Sequence, residues 1–461
     1  MPASAMPLDD LIAIVGTDNV SVRESDLDAH SIDESHIAPH RPDVVVWPSS
    51  TAEVAAVVRL ANERQIPVVP WSGGSSLEGN PVPVRGGILL AMYRMNRILE
   101  IRENDLQVVV QPGVVYDALN AKLRRLGLFF PPAPGSAAVA TLGGMVANNS
   151  SGMRAVRYGV TRNYILKLKV VLPSGEVIDV GSAAKKSTSG YDLVGLFIGS
   201  EGTLGVVTEI TLRLLGLPEA TASVIAVFDS LRDATQAVYE SVRYGLEPSA
   251  LEILDANTLR ASNRQHNLGL RETPTLFVEF HGPKAGVEDQ LAYLKQICDD
   301  NHCQGYDVSF EAERRDELWR ARSEARDSIK FAHPGKAMIS GDVCVPISRF
   351  GEVVEYTQEV SADIGLPIYA FGHAGDGNIH TEVIADRSIP GELERAVAGS
   401  DAVVRRALDV GGTIAGEHGI GVAKAEFMAA EHGPALALMR QIKAVIDPKN
   451  IMNPGKIFLP S

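Results

Sequence analysis

From residue 43 onward, short apolar runs alternate with stretches whose apolar positions recur at helical spacing. Residues 44–47 read as a buried strand. Ser50 and Glu53 form a capping box for a helix whose apolar face is Val54, Val57, Val58 and Ala61. A second strand at 67–70 runs straight into Ser72-Gly-Gly-Ser-Ser-Leu77. A strand at 106–110 leads through Pro112-Gly113 to a helix carrying Leu119, Leu123 and Leu126, closed by Gly127. Residues 131–152 have almost no regular pattern, 166–180 read as a hairpin around Pro173-Ser-Gly175, and 204–214 as a strand.

Gly216-Leu-Pro218 marks a boundary. Beyond it the order is strand (223–228), helix (231–244), strand (250–254), then strand (275–280), helix (287–299), strand (306–310). That succession is the ferredoxin-like signature. A helical stretch through Trp319 and Arg322 precedes a polar, glycine-rich cluster at 371–380, and a helix at 392–410 separates it from a second cluster at 416–419. The predicted organisation is an N-terminal helical segment (1–37), a first domain (38–217) and a second (218–461), with no internal repeat. Trp71, Trp319 and Tyr191 read as packing residues.

The 461 residues call for two or three domains, and 45% apolar content is ordinary for a globular chain. A formal net charge of -14 argues against nucleic acid and against a polybasic membrane attachment, but leaves a local basic pocket for a small anion open. Cys298, Cys303 and Cys344 form no CxxC pair, so they read as free thiols in a reducing compartment. No leader-like start and no apolar run long enough to span a bilayer is present, which predicts a soluble, cytoplasmic protein.

The glycine-rich segments carry the first chemistry. The chain contains neither GxGxxG nor GxxxxGK[ST]. Yet Ser72–Leu77 follows a strand, where glycine lets backbone N–H groups approach an anion. Asn148-Asn-Ser-Ser-Gly152 and Glu201-Gly-Thr-Leu-Gly205 add two similar loops. Several such loops in one α+β region point to a long, phosphate-bearing ligand.

The polar clusters carry the second. His373 and His380 flank a glycine turn that can bring both rings to one point, and Gly416-Glu417-His418-Gly419 supplies a carboxylate and a third imidazole. Two neutral imidazoles and one carboxylate form an open metal site. The bland alternative is a pair of hydrogen-bonded turn histidines, and Asp376 reads as a turn residue. Glu417 and His418, being adjacent, can diverge to a metal and to a substrate proton.

Pro70 to Gly79, Pro134-Gly135, Thr141-Leu-Gly-Gly144, Gly199 to Gly205 and Asn453-Pro-Gly-Lys456 resemble the vanillyl-alcohol-oxidase type of FAD-binding fold. Gly372 to His380 and Glu417 to Gly421 narrow the resemblance to the D-lactate dehydrogenase, glycolate oxidase D-subunit and D-2-hydroxyglutarate dehydrogenase branch. It covers roughly residues 38–458. The fold it implies is α+β: a two-subdomain FAD-binding domain, then a ferredoxin-like substrate domain and a C-terminal helical segment.

The resemblance implies FAD contacts from Pro70, Ser72, Gly73, Gly74, Ser75, Ser76 and Gly79, with the pyrophosphate on that loop. Further contacts are implied at Pro134, Gly135, Thr141, Gly143, Gly144, Asn148, Asn149, Ser151 and Gly152. Glu201, Gly202, Gly205, Val206, Val207 and Asn453 complete the implied set. Ser75 and Ser76 stand where some relatives carry a flavin-anchoring histidine, so FAD is expected to be noncovalent.

Arg322, and secondarily Arg326, match the position that grips substrate carboxylate in similar enzymes, against the plain reading of a solvated helix arginine. Ser340 and Glu382 stand where 2-hydroxyglutarate enzymes place further polar contacts, which disfavours a dicarboxylate substrate.

The expectation is a dehydrogenase of a small D-2-hydroxy acid, D-lactate first. His373, His380 and Glu417 would hold a divalent metal, zinc or manganese, and His418 would act as base. Hydride would pass to flavin N5 and electrons to an external acceptor: a cytochrome, a quinone or an electron-transfer flavoprotein. Partner oxidase subunits and peripheral membrane association stay open. Rival readings are a glycolate oxidase D-type subunit, a D-2-hydroxyglutarate dehydrogenase, a non-catalytic flavin or scaffold subunit, and a zinc hydrolase without flavin, which would leave the glycine loops unexplained.

Overall fold

A computed structural model describes residues 6–459. The chain divides into two compact units. One takes the chain as far as Ser150, Val160–Leu217 and everything from Glu417; the other takes Ser151–Gly159 and Pro218–Gly416. The tail from Glu417, assigned by sequence to the second domain, thus packs with the first unit. Its anchors are long-range: Val68 N–H donates to Ile451 O at 2.7 Å, and Ile451 and Met452 are buried in the same core as Val68.

The first unit holds two main sheets. In the smaller, Val44–Val46, Ile88–Ala91 and Val68–Trp71 lie parallel in that order, with Val20–Ser21 antiparallel at the edge. The helix Thr51–Arg64 covers it through Val54, Val57, Val58 and Ala61, all fully buried. Its capping box is half realised. Ser50 accepts from the Glu53 N–H, but the Glu53 carboxylate accepts from the Ser49 N–H at 2.7 Å instead of that of Ser50. The larger sheet is antiparallel, in the order Ile98–Arg102, Gln107–Val110, Val206–Arg213, Ile165–Val171, Val177–Gly181.

Three local expectations need correction. The helix after Gly113 spans Tyr116–Arg124, so Leu126 lies past its end and is exposed. Residues 131–152 are not without structure: Leu142–Asn148 is a helix, capped by Thr141, whose Oγ1 accepts from the Gly144 N–H. Tyr191 is no packing residue, being 96% exposed.

In the second unit seven antiparallel strands run in the order Gly305–Ser309, Ala220–Val227, Thr275–Gly282, Ala250–Leu254, Ile368–Gly372, Asn378–Ala385, Ala337–Cys344. The first four are the ferredoxin-like arrangement, with helices Leu231–Arg243 and Lys284–Asp300 as its crossovers. The remaining three extend the sheet and carry the histidine cluster. An additional helix, Ala256–His266, enters between the second and third strands in chain order. No helix among the described residues is long and apolar enough to cross a membrane.

Candidate active site

In the first unit the loop after Val68–Trp71 is shaped by glycine. Gly74 takes φ +69°, and a Cβ there would sit 2.7 Å from the Trp71 ring. At Gly73 a Cβ would meet the Val139 carbonyl oxygen at 2.6 Å. Ser72 Oγ is hydrogen-bonded to Thr141 Oγ1, which joins this loop to the N-terminus of the helix Leu142–Asn148. The loop expected to carry the FAD pyrophosphate is therefore adjacent to the Thr141–Gly144 segment, which is also expected to contact FAD. Asn149 closes that helix in the left-handed region, while Ser151 and Gly152 belong to the second unit.

The turn after His418 folds onto the same unit. Gly419 and Gly421 both have positive φ, and a Cβ on Gly421 would stand 2.1 Å from the Glu78 carbonyl oxygen. The buried Glu201 carboxylate accepts from the N–H groups of Ile420 (2.7 Å) and Gly421 (2.9 Å) and from Asn80 Nδ2 (2.8 Å). Burial raises the pKa of Glu201, against these three donors. Asn453 Nδ2 donates to the carbonyls of Asn80 and Glu201. The side chains of Glu201 and Asn453 thus brace loops against each other within the protein. Burial lowers Lys456 to about 8.

His418 is held at both ends. Its carbonyl accepts from Asn148 Nδ2 (3.0 Å) and Asn80 Nδ2 (3.2 Å), and its Nδ1 lies 3.4 Å from Glu78 Oε1. Glu78 is buried and also bridges to Lys424 Nζ at 3.0 Å. A carboxylate can only accept, so Nδ1 is the protonated nitrogen and Nε2 carries the lone pair.

In the second unit His373 follows the strand Ile368–Gly372 and His380 lies on Asn378–Ala385, opposite Phe371. The reversal between them, with Gly377 at φ +77°, sets the two buried rings perpendicular, centroids 5.0 Å apart. Fully buried Glu252 lies 2.8 Å from His373 Nδ1 through both carboxylate oxygens and accepts from Arg322 Nε at 2.6 Å. Arg322 is accordingly buried, not a solvated helix arginine.

Asp342, also fully buried, accepts from Asn378 Nδ2 at 2.7 Å and stands 3.6 Å from His380 Nδ1. Gly416, the last residue of this unit, has no room for a side chain: a Cβ would meet Asn378 Nδ2 at 2.2 Å and Asp342 Oδ1 at 2.8 Å. Glu417 is the next residue along the chain and opens the final segment of the first unit. Arg326 donates through Nε to buried Glu382 (3.1 Å), which also accepts from Ser340 Oγ (2.9 Å). Two buried imidazoles whose Nδ1 atoms face carboxylates are a donor pair suited to a borderline divalent ion through Nε2.

Glu78, Lys424, Glu252 and Asp342 were not singled out from sequence. A signal was present for two of them. Glu252 is a lone carboxylate inside an otherwise apolar, buried strand, and Asp342 is the one charged residue of a mostly buried one, where a charge is held only against a partner.

The model for the FAD binding domain matches residues 42–181, and the model for the C-terminal domain of FAD linked oxidases matches residues 217–457. Fold and loops define an FAD-binding α+β flavoprotein. The solved p-cresol methylhydroxylase with substrate bound shares this fold, with a TM-score of 0.83 at 19% identity over 98% of this chain and 96% of that one.

The chain belongs to the FAD-linked oxidase family. It is 38% identical to a probable mitochondrial D-lactate dehydrogenase of Danio rerio, over 97% of this chain and 90% of that protein. It is 39% identical to a mitochondrial D-lactate dehydrogenase [cytochrome] of Arabidopsis thaliana, over 92% and 75% respectively. It is 35% identical to the glycolate oxidase subunit GlcD of Bacillus subtilis, over 97% and 96%.

Proposed function

We propose that the protein is an FAD-dependent dehydrogenase that oxidises a small D-2-hydroxy acid, D-lactate first, to the 2-oxo acid and passes electrons to an external acceptor. The observation that carries this reading is the buried Glu252–Arg322–His373 group beside His380, in a chain of the FAD-linked oxidase family.

When bound, FAD supplies the hydride acceptor, and a divalent ion held by His373, His380 and Glu417 would acidify the substrate hydroxyl. Arg322 grips the substrate carboxylate, with Glu252 fixing its Nε edge. His418 takes the hydroxyl proton on Nε2, and Glu78 at Nδ1 stabilises the imidazolium that results. Arg326 is already neutralised by Glu382, which favours a monocarboxylate over a dicarboxylate. Ser75 and Ser76 in the first glycine loop favour dissociable FAD.

Relatives named D-lactate dehydrogenase support lactate, and one named for a cytochrome supports an acceptor of that kind. The GlcD name keeps glycolate oxidation, within a multi-subunit oxidase, as the second reading. A cytoplasmic setting belongs to the same proposal.

The test is a panel of D-lactate, L-lactate, glycolate and D-2-hydroxyglutarate with an artificial electron acceptor. D-lactate is expected to have the highest kcat/KM. Preference for glycolate moves the protein to the second reading. Turnover of none by flavin-replete protein would favour a non-catalytic subunit.

A further inference from the structure

We propose that Glu252 is a positioning residue that sets the metal-ligating nitrogen of His373 and, with the same carboxylate, the grip of Arg322. This inference rests on the metal reading above. Glu252 lies in the middle of the strand Ala250–Leu254, every residue of which is buried, where a carboxylate is costly unless fully partnered. Its partners are His373 Nδ1, 2.8 Å from both oxygens, and Arg322 Nε at 2.6 Å.

The tautomer follows from the distances at Nδ1. The Glu252 carboxylate can only accept and stands 2.8 Å away through both oxygens, whereas Arg322 Nη2, which can only donate and would favour a lone pair there, lies farther off at 3.4 Å. His373 Nδ1 therefore carries the hydrogen that Glu252 accepts. Its lone pair is then on Nε2, the ring nitrogen that would meet a cation. A carboxylate behind a ligating imidazole also makes it a better donor. Arg322 is clamped at Nε and its charge centre lies 5.2 Å from the Phe371 ring, so the guanidinium is fixed in the frame that fixes the imidazole. Metal and substrate carboxylate are thereby held at a set spacing by one side chain.

The test uses the FAD-loaded protein and Glu252→Gln, which keeps size and removes charge. Zinc affinity, read by competition with a chromophoric chelator, is expected to fall roughly 10- to 100-fold, the usual loss for an outer partner of a metal ligand. Flavin content should not change, and KM for D-lactate should rise. Activity should recover as zinc and substrate are raised, because the ligands themselves remain.

An affinity within twofold of wild type overturns the role of Glu252 while leaving the metal reading intact. Wild-type protein that binds no zinc or manganese overturns both. Should the variant fail to fold, wild-type protein with 15N-labelled histidine decides the matter, using His373→Gln for assignment. An Nδ1–H tautomer at His373 is expected, and an Nε2–H tautomer overturns the inference.

Discussion

Replacing Glu78 by Gln separates the chemistry of His418 from its placement. The perturbation removes one negative charge 3.4 Å from Nδ1 of a ring that must become positive when it takes a proton. At an effective dielectric of about 20, unit charges at that separation interact by about 5 kcal/mol. The His418 side chain is 14% exposed, and Lys424 opposes Glu78 from 3.0 Å. Discounting for solvent screening of the pair leaves about 2–3 kcal/mol, or roughly 30- to 150-fold in rate.

The assay is anaerobic stopped-flow reduction of bound flavin by D-lactate, without acceptor. His418→Ala sets the scale, with an expected loss of about 100- to 10,000-fold. Glu78→Gln also strips Lys424 of a buried ion-pair partner, a change that typically costs about 3–5 kcal/mol of stability. The double variant Glu78→Gln/Lys424→Met should therefore regain stability but at most part of the rate, since it removes an opposing cation without restoring the carboxylate. Flavin reduction by Glu78→Gln within threefold of wild type would refute the reasoning, since the carboxylate would then be only a packing partner of Lys424.

Three further outcomes are expected. Acid precipitation should release FAD into the supernatant, and fluorescence left on the denatured chain would show covalent attachment. Rigorous chelation, or His380→Ala, should abolish turnover while FAD stays bound; full activity in metal-free protein, verified by elemental analysis, rules the metal out. Burial raises the carboxyl of Asp255 to about 6 despite hydrogen bonds from the N–H groups of Thr258 and Ala370. The folded state then keeps a proton that the unfolded chain loses near pH 4, so this contribution to stability falls as pH rises from about 4 to 6. Relative to Asp255→Asn, wild type should lose about 3 kcal/mol across that range in denaturant titrations, and a flat difference would contradict the burial argument.

Much of the second unit was legible in its pattern. The runs at 250–254, 275–280 and 306–310, spaced by amphipathic stretches, became strands of one sheet because period and length report burial locally. The helix Leu142–Asn148 escaped because Leu-Gly-Gly-Met-Val-Ala-Asn is poor helix sequence. It is held by the Thr141 cap and by packing in which a Cβ on Gly143 would come within 2.6 Å of Pro112.

The motifs around His373, His380 and His418 were visible because glycine and histidine at fixed spacing are a local record of turn and ligand chemistry. Their partners were not. Glu252 meets a histidine 121 positions later, and Glu78 meets one 340 positions later. Sheet register and loop docking decide such pairs, and neither leaves a periodic trace near the residue concerned. The same holds for the tail from Glu417: its apolar residues announce that they will be buried, but only the packing of Ile451 and Met452 against Val68 decides in which core. Burial is a property of a residue and its near neighbours, whereas partnership depends on where the rest of the chain returns.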